Sequence, residues 1–148
     1  MKMLKKLIFL PIMILLSSCF EQTQQIYEPE EVDIEVERSY SEVKDFELTW
    51  ESMFDVNRST YYVYFYSVTC EHCKELKNYI VEKALEREDI YFVKGSSTDQ
   101  ITTDPAKSNN AGNPEDIWIL GYPSLIKIVE QKCVKNLAGI NQIKGELK

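Results

Sequence analysis

Apolar and polar residues alternate along the chain in blocks whose spacing predicts an order of strands and helices. The clearest strand is "TYYVYFY", Thr60 to Tyr66, which is apolar on both faces and rich in β-branched and aromatic residues. A helix follows, because apolar residues from Cys73 to Leu85 recur at helical spacing while charged residues take the other face. "DIYFV", Asp89 to Val93, predicts another strand. These blocks predict a strand covered from both sides, an amphipathic helix and a second strand.

Weaker patterns extend this order in both directions. Phe46 to Phe54 predicts a short amphipathic helix, and the polar stretch from Gly95 to Asn113 is long for a loop between a strand and a helix. Asn113 to Asp116 resembles a helix start, with a cap, an early proline and two acids. Two strands joined at Glu130 to Lys132 and a helix over Asn141 to Lys148 complete the chain. The order β-α-β-α-β-β-α implies an α/β fold with a mixed sheet and helices on both faces.

The N-terminus carries an export signal over residues 1–18. Three lysines precede an apolar run from Leu7 to Leu16, which is shorter than the roughly 20 residues that a membrane span needs. The run ends in "LSSC", which resembles the bacterial lipobox and implies that Cys19 receives a diacylglyceryl group and becomes the new N-terminus. Such a lipid would hold the protein at the cell membrane, on the extracytoplasmic side. Alternatives are an ordinary signal peptide cleaved nearby, or an uncleaved anchor in which Cys19 has no role.

Composition divides the remainder into a tether, residues 19–42, and one domain, residues 43–148. The tether is polar and acid-rich, although alternation around Ile34 also allows an edge strand there. Removing residues 1–18 takes away three lysines and no acid, so the net charge of −7 becomes −10. This charge excludes nucleic acid as a partner and leaves the lipid on Cys19 as the membrane attachment.

The pair of cysteines in "CEHC", Cys70 and Cys73, stands directly between the first strand and its helix. A cysteine at a helix start faces unpaired backbone amides and the positive end of the helix dipole, which favour the thiolate. Cys70 has this position and is the expected nucleophile, Cys73 is the expected resolving thiol, and His72 is expected to stabilise the thiolate and make the disulfide more oxidising. Alternatives are a static disulfide, which closes too small a loop to stabilise much, or a metal or haem site. No metal or cofactor is expected, because Cys133 is the only further sulfur candidate and Lys74 stands where haem attachment needs histidine.

The placement of this pair resembles the thioredoxin superfamily. "GYPS" with Tyr122, Pro123 and Ser124 resembles the loop in which that family has a cis proline before a strand, and Gly139 lies where the family commonly has glycine. The resemblance covers Phe46 to Lys148 and implies a thioredoxin-like three-layer sandwich. It also implies that Tyr122, Pro123 and Ser124 bind substrate, because a cis bond exposes backbone groups that can pair with an extended segment.

The resemblance implies a thiol-disulfide oxidoreductase that acts on thiols or disulfides of exported proteins and is recycled by a redox partner. The chain departs from the family at Tyr64, where thioredoxins have a buried carboxylate, and at Thr69, where an aromatic residue is usual. Both departures disfavour a general reductase. The alternative is a binding or accessory lipoprotein of the bacteriocin-export type, with a regulatory or vestigial disulfide. Cys133 is expected to be a strand cysteine without a catalytic role, and the loop Gly95 to Asn113 either borders the substrate groove or is a solvated insertion.

Overall fold

The computed structural model describes residues 36–148. The predicted signal peptide, Cys19 and the tether as far as residue 35 lie outside this range. No helix between residues 36 and 148 is long and apolar enough to cross a membrane. The regular elements are β1 (Glu47–Leu48), β2 (Thr60–Tyr66), α1 (Glu71–Arg87), β3 (Ile90–Lys94), β4 (Ser124–Val129), β5 (Lys132–Ala138), α2 (Ile140–Glu146) and 3₁₀ helices at Tyr40–Phe46 and Pro114–Asp116.

The five strands form one mixed sheet in the order β1-β3-β2-β4-β5. β1 and β2 both pair parallel with β3, whereas β4 pairs antiparallel with β2 and with β5. β2 is therefore the central strand, and its predicted bounds and its burial from both sides are confirmed. Its carboxyl end leads directly to Cys70, so the sheet centre positions the cysteine pair.

Alternate residues of β2 enter two separate cores, one on each face of the sheet. Tyr62, Tyr64 and Tyr66 face α1 and α2, whereas Tyr61, Val63 and Phe65 face the opposite side. The first 3₁₀ helix packs on the α1 face through Val43, and the second lies on the opposite face. The predicted three-layer α/β fold is confirmed, but both α-helices lie on one face of the sheet, and the second 3₁₀ helix and loops cover the other face.

Helix α1 begins at the cysteine pair and ends at a left-handed residue. Cys70 is the N-cap, and Glu88 closes the helix with a φ of 57°. Between these ends the buried side chains recur at the predicted helical spacing; they are Cys73, Leu76, Ile80, Val81 and Ala84. The predicted helix is confirmed, and burying this stripe against β2 fixes the first turn, which carries both thiols.

The predicted helix over Phe46 to Phe54 is wrong. A 3₁₀ helix ends at Phe46, β1 follows, and Ser52 and Thr49 then form a local turn through their hydroxyl and backbone groups. Such side-chain bonds compete with helical hydrogen bonds. Phe46 also packs into the α1-side core while Trp50 packs into the opposite one, which a single helical stripe does not permit.

Near the C-terminus most of the predicted elements are present. The helix start at Asn113 is confirmed as a cap, but it opens only the three-residue 3₁₀ helix before extended, buried residues Ile117 and Ile119. The hairpin β4–β5 and the final helix α2 follow as predicted, with Glu130 and Gln131 at the hairpin turn, both at positive φ. The boundary between tether and domain stays a prediction, and Tyr40 on its tether side packs against the α1-side core.

Candidate functional site

Cys70 is the accessible member of the cysteine pair. It is partly exposed and has extended backbone angles, so its sulfur points back over the first turn of α1. There Cys70 Sγ accepts a hydrogen bond from the backbone N–H of Cys73 at 3.2 Å. The same sulfur lies 3.4 Å from the carbonyl oxygen of Tyr122, to which the thiol donates. Cys70 therefore lies between the start of α1 and the loop that contains Tyr122 and Pro123, here called the proline loop.

Cys73 is the buried member of the pair, with 1% of its surface exposed. Burial, and next the hydrogen bond with Cys70, raise the pKa of the Cys73 thiol to about 12. At neutral pH Cys73 is thus a protonated thiol shielded from solvent, beside a partly exposed Cys70. Cys70 and Cys73 are only three positions apart in the sequence, but their different exposure gives the two thiols different chemistry.

His72 lies on the outer surface of α1. Its side chain is 70% exposed, and Nδ1 lies 3.5 Å from a carboxylate oxygen of Glu75 on the next turn. No hydrogen bond joins this imidazole to Cys70 among the described residues. The role of His72 as a thiolate stabiliser stays a prediction, and any such effect acts through space across solvent.

The loop before β4 has the predicted cis peptide bond between Tyr122 and Pro123. Pro123 and Ser124 are buried, and Ser124 Oγ donates to the carbonyl of Gly121 at 2.7 Å while accepting from the N–H of Leu120 at 3.2 Å. The Ser124 side chain is therefore used to hold the loop. Binding of substrate by Tyr122, Pro123 and Ser124 stays a prediction, in which the backbone of Tyr122, beside Cys70, is the accessible part.

The ring of Tyr122 forms a wall beside the site, which no local pattern in the sequence predicts. Its hydroxyl makes a short hydrogen bond to a carboxylate oxygen of Asp99, and burial together with this bond raises the pKa of Tyr122. Asp99 also accepts hydrogen bonds from Ser96, which fixes the start of the Gly95–Asn113 loop. Beyond Asp99 an open groove of about 660 Å³ runs along the end of β1.

The long loop has two parts with different neighbours. Residues 95–99 border the site through Asp99 and Tyr122. Further on, Ala111 accepts from the backbone N–H of Cys133, and Asn110 donates to its carbonyl, so this part covers the free edge of β5. One segment of the loop is therefore a wall of the site, and the other is a structural cover.

Two further tyrosines surround Cys73. The hydroxyl of Tyr40 donates to the carbonyl oxygen of Cys73 at 3.3 Å, and its ring stacks on Tyr66 with the ring centroids 4.0 Å apart. Tyr64 is fully buried in the same core as Cys73. Alternation along β2 places Tyr64 on the helix-facing side, but nothing local in the sequence indicates the contact from Tyr40.

Cys133 lies away from this site. It is fully buried in the core on the other face of the sheet, and burial raises the pKa of its thiol to about 11. Its expected lack of a catalytic role stays a prediction, which its position on the opposite face favours. Within residues 36–148 no three His, Cys, Asp or Glu side chains are grouped as a metal would need.

Replacing Gly95 with alanine is expected to displace the Tyr122 ring. A Cβ at Gly95 would lie closer to Cζ of Tyr122 than packed atoms approach. The ring must swing away and give up its bond to Asp99, so the free energy of unfolding should fall by about 1–2 kcal/mol in urea titrations. The same change at Gly145, where a Cβ meets open space in α2, should raise it by about 0.5–1 kcal/mol.

The Tyr122→Phe variant tests whether the cost of Gly95→Ala comes from the lost hydrogen bond to Asp99 or from a change in the backbone at residue 95. It removes the same hydrogen bond to Asp99, so adding Gly95→Ala to it should cost much less than Gly95→Ala alone. Fully additive costs would contradict loss of the bond to Asp99 as the source of the cost of Gly95→Ala.

Comparisons with known proteins find thioredoxins among solved structures. No family model and no curated protein matches the sequence. Among solved structures, thioredoxin f2 of Chlamydomonas reinhardtii is 19% identical with a TM-score of 0.44, covering 68% of this chain and 89% of its own. Mitochondrial thioredoxin 3 of Saccharomyces cerevisiae is 15% identical with a TM-score of 0.47, covering 72% and 93%. Spinach chloroplast thioredoxin f is 14% identical with a TM-score of 0.46, covering 68% and 81%.

Similarity at this level carries no information on substrates or on the direction of a reaction. The class of protein follows from the chain itself: a mixed sheet, a cysteine pair at the start of α1 and a cis-proline loop beside it define a thioredoxin-like α/β protein. The pairing of an accessible Cys70 with a buried Cys73 supports a thiol redox function.

Proposed function

We propose that the protein is an extracytoplasmic thiol-disulfide oxidoreductase that acts on cysteines of exported proteins. The observation that carries this proposal is the unequal environment of the two thiols. Cys70 is accessible and accepts a backbone hydrogen bond at the helix start, whereas Cys73 is buried and holds its proton. A dithiol that served only as a static crosslink would need no such difference.

The two environments suit two successive exchange steps. In reduction of a substrate disulfide, the Cys70 thiolate attacks one substrate sulfur, forms a mixed disulfide and releases the other sulfur as a thiolate. Cys73 then gives up its proton and attacks Cys70 Sγ, which forms the Cys70–Cys73 disulfide and releases the first substrate sulfur as a thiol. Oxidation of a substrate dithiol runs through the same intermediate in reverse, so the partner that recycles the dithiol sets the direction.

The proline loop supports binding of an extended substrate next to Cys70. The carbonyl of Tyr122 lies 3.4 Å from Cys70 Sγ, and the N–H of Tyr122 has no hydrogen-bond partner within residues 36–148. A free N–H and an adjacent carbonyl can pair with an extended peptide as an added strand does. Asp99, which holds the ring of Tyr122, also lines the groove along the end of β1.

The signal sequence and Cys19 support the proposed location. In this proposal residues 1–18 are removed, lipid on Cys19 holds the protein at the extracytoplasmic face of the cell membrane, and the acidic tether separates the domain from the bilayer. The substrates are then exported proteins whose cysteines pass this surface. A redox partner recycles the dithiol.

Disulfide exchange with a peptide tests the proposed activity. The reduced full chain is mixed with a peptide that holds one disulfide, and free peptide thiol and oxidised protein are followed over time. We expect catalytic turnover when a chemical reductant is supplied, with the loss of almost all of it in Cys70→Ala and little change in Cys133→Ala. Turnover no faster than with Cys70→Ala would reject the enzyme and favour an accessory lipoprotein with a regulatory disulfide.

A further inference from the structure

The hydroxyl of Tyr64 is a buried polar group without a hydrogen-bond partner. Tyr64 has none of its surface exposed, and no acceptor or donor meets its hydroxyl in good geometry. Leaving a buried hydroxyl unpaired is unfavourable, and phenylalanine would fill the same space without that penalty. The hydroxyl of Tyr64 is therefore available to a partner that forms in another state of the protein.

Tyr40 and Cys73 pack together with Tyr64 on the α1 side of the sheet and lie within reach of its hydroxyl. Tyr40 already donates its own proton to the carbonyl oxygen of Cys73, so it offers Tyr64 only an oxygen to accept. The Tyr64 proton thus has two acceptors, the oxygen of Tyr40 and the sulfur of Cys73, and only the sulfur gains a full negative charge during the reaction.

We propose that the Tyr64 hydroxyl donates a hydrogen bond to the Cys73 thiolate as it forms in the resolving step. This inference rests on the proposed function and names a further residue for it. In that step Cys73 loses its proton, its sulfur bonds to Cys70 Sγ, and the bond between Cys70 and the substrate sulfur breaks. The departing substrate sulfur takes up the proton and leaves as a thiol, so Tyr64 keeps its own proton throughout.

The surroundings make Tyr64 a donor and not a base. Burial, and next the neighbouring Tyr40, raise the pKa of Tyr64 well above that of an exposed tyrosine. Cys70 and Cys73 on α1 face the same hydroxyl, and negative charge on either sulfur raises that pKa further. Tyr64 therefore stays protonated over the working pH range, and its hydrogen bond favours the charged form of Cys73 against the desolvation that opposes it.

Reaction of the reduced full chain with the chromogenic disulfide 5,5′-dithiobis(2-nitrobenzoate) tests this role in two separate phases. Attack by Cys70 releases the first thionitrobenzoate, and attack by Cys73 on the mixed disulfide releases the second. In Tyr64→Phe the second phase should be about four- to fifteenfold slower, from loss of one hydrogen bond to a charged group, partly offset because a more basic thiolate is a better nucleophile. The rate of the second phase, plotted against pH, should rise with the same slope as in the parent chain but at higher pH.

Tyr62→Phe is the matched control, because Tyr62 lies on the same face of β2 and its hydroxyl contacts Glu146 instead. Both phases should be unchanged in Tyr62→Phe, and the first phase should be unchanged in Tyr64→Phe. Tyr64→Phe should also melt no lower than the parent chain, because the lost hydroxyl has no partner to forfeit. A purely structural role would instead lower the melting temperature.

The outcomes separate this inference from the function on which it rests. Two phases in the parent chain with an unaltered second phase in Tyr64→Phe would overturn the role of Tyr64 and leave the oxidoreductase proposal standing. Peptide exchange no faster than that of Cys70→Ala would reject the oxidoreductase itself. A slower second phase with an unshifted pH profile would also overturn the role, because the hydrogen bond acts through the thiolate.

Discussion

Replacing Cys73 with alanine is expected to leave the chain covalently joined to exported proteins, whereas replacing Cys70 with alanine is expected to abolish such complexes. The asymmetry follows from the environments of the two sulfurs. In Cys73→Ala the accessible Cys70 still attacks a substrate, but no second thiol is available to release it. In Cys70→Ala the remaining Cys73 is buried, and burial, the largest cause of its raised pKa, keeps it almost wholly protonated.

Non-reducing gels of cells that express each variant measure this difference. Complexes that disappear on reduction should be more abundant with Cys73→Ala than with Cys70→Ala by on the order of tenfold or more. Cys133→Ala is the matched control and should resemble the parent chain, since Cys133 lies in the core on the other face of the sheet. Equal trapping by Cys70→Ala and Cys73→Ala would contradict the assigned roles, and mass spectrometry of the trapped proteins would name the substrates.

The parts of the fold that the sequence predicts are those with a local signal. Apolar, β-branched and aromatic residues at successive positions from Thr60 to Tyr66 favour a short strand buried on both sides, and the structure places that strand at the centre of the sheet. The helix after Cys70 is predicted by apolar residues at helical spacing within one segment. The cis bond before Pro123 is likewise predicted from a short segment, a tyrosine-proline step after glycine. The cysteine pair and its helix start are adjacent in sequence, so their geometry is predictable.

The parts that the sequence does not predict depend on contacts between distant residues. Phe46 and Trp50 have helical spacing, but they enter cores on opposite faces of the sheet, and no local pattern reveals this. Tyr40 lies in a segment that reads as tether and reaches the carbonyl of Cys73, 33 positions later. Tyr122 likewise finds Asp99, 23 positions earlier in the chain.

These distant contacts change the chemistry expected of the site. The sequence alone places His72 nearest to the cysteines, yet its imidazole lies on the exposed surface beside Glu75. The groups that surround Cys73 in the interior are phenols, from Tyr40 and Tyr64. A buried phenol cannot accept the Cys73 proton as a carboxylate can, but it can donate to the thiolate, which leaves the site with a hydrogen-bond donor in place of a base.

Replacing Cys19 with serine is expected to prevent lipidation, because serine has no sulfur to form the thioether. Each buried methylene of an acyl chain contributes about 0.8 kcal/mol, so a diacylglyceryl group on Cys19 would retain the chain at a membrane. Mass spectrometry of the mature N-terminus should show an acylated Cys19 in the parent chain. The acyl mass should be absent in Cys19→Ser and kept in the control Cys70→Ser, whereas an unmodified parent N-terminus at another residue would refute lipidation.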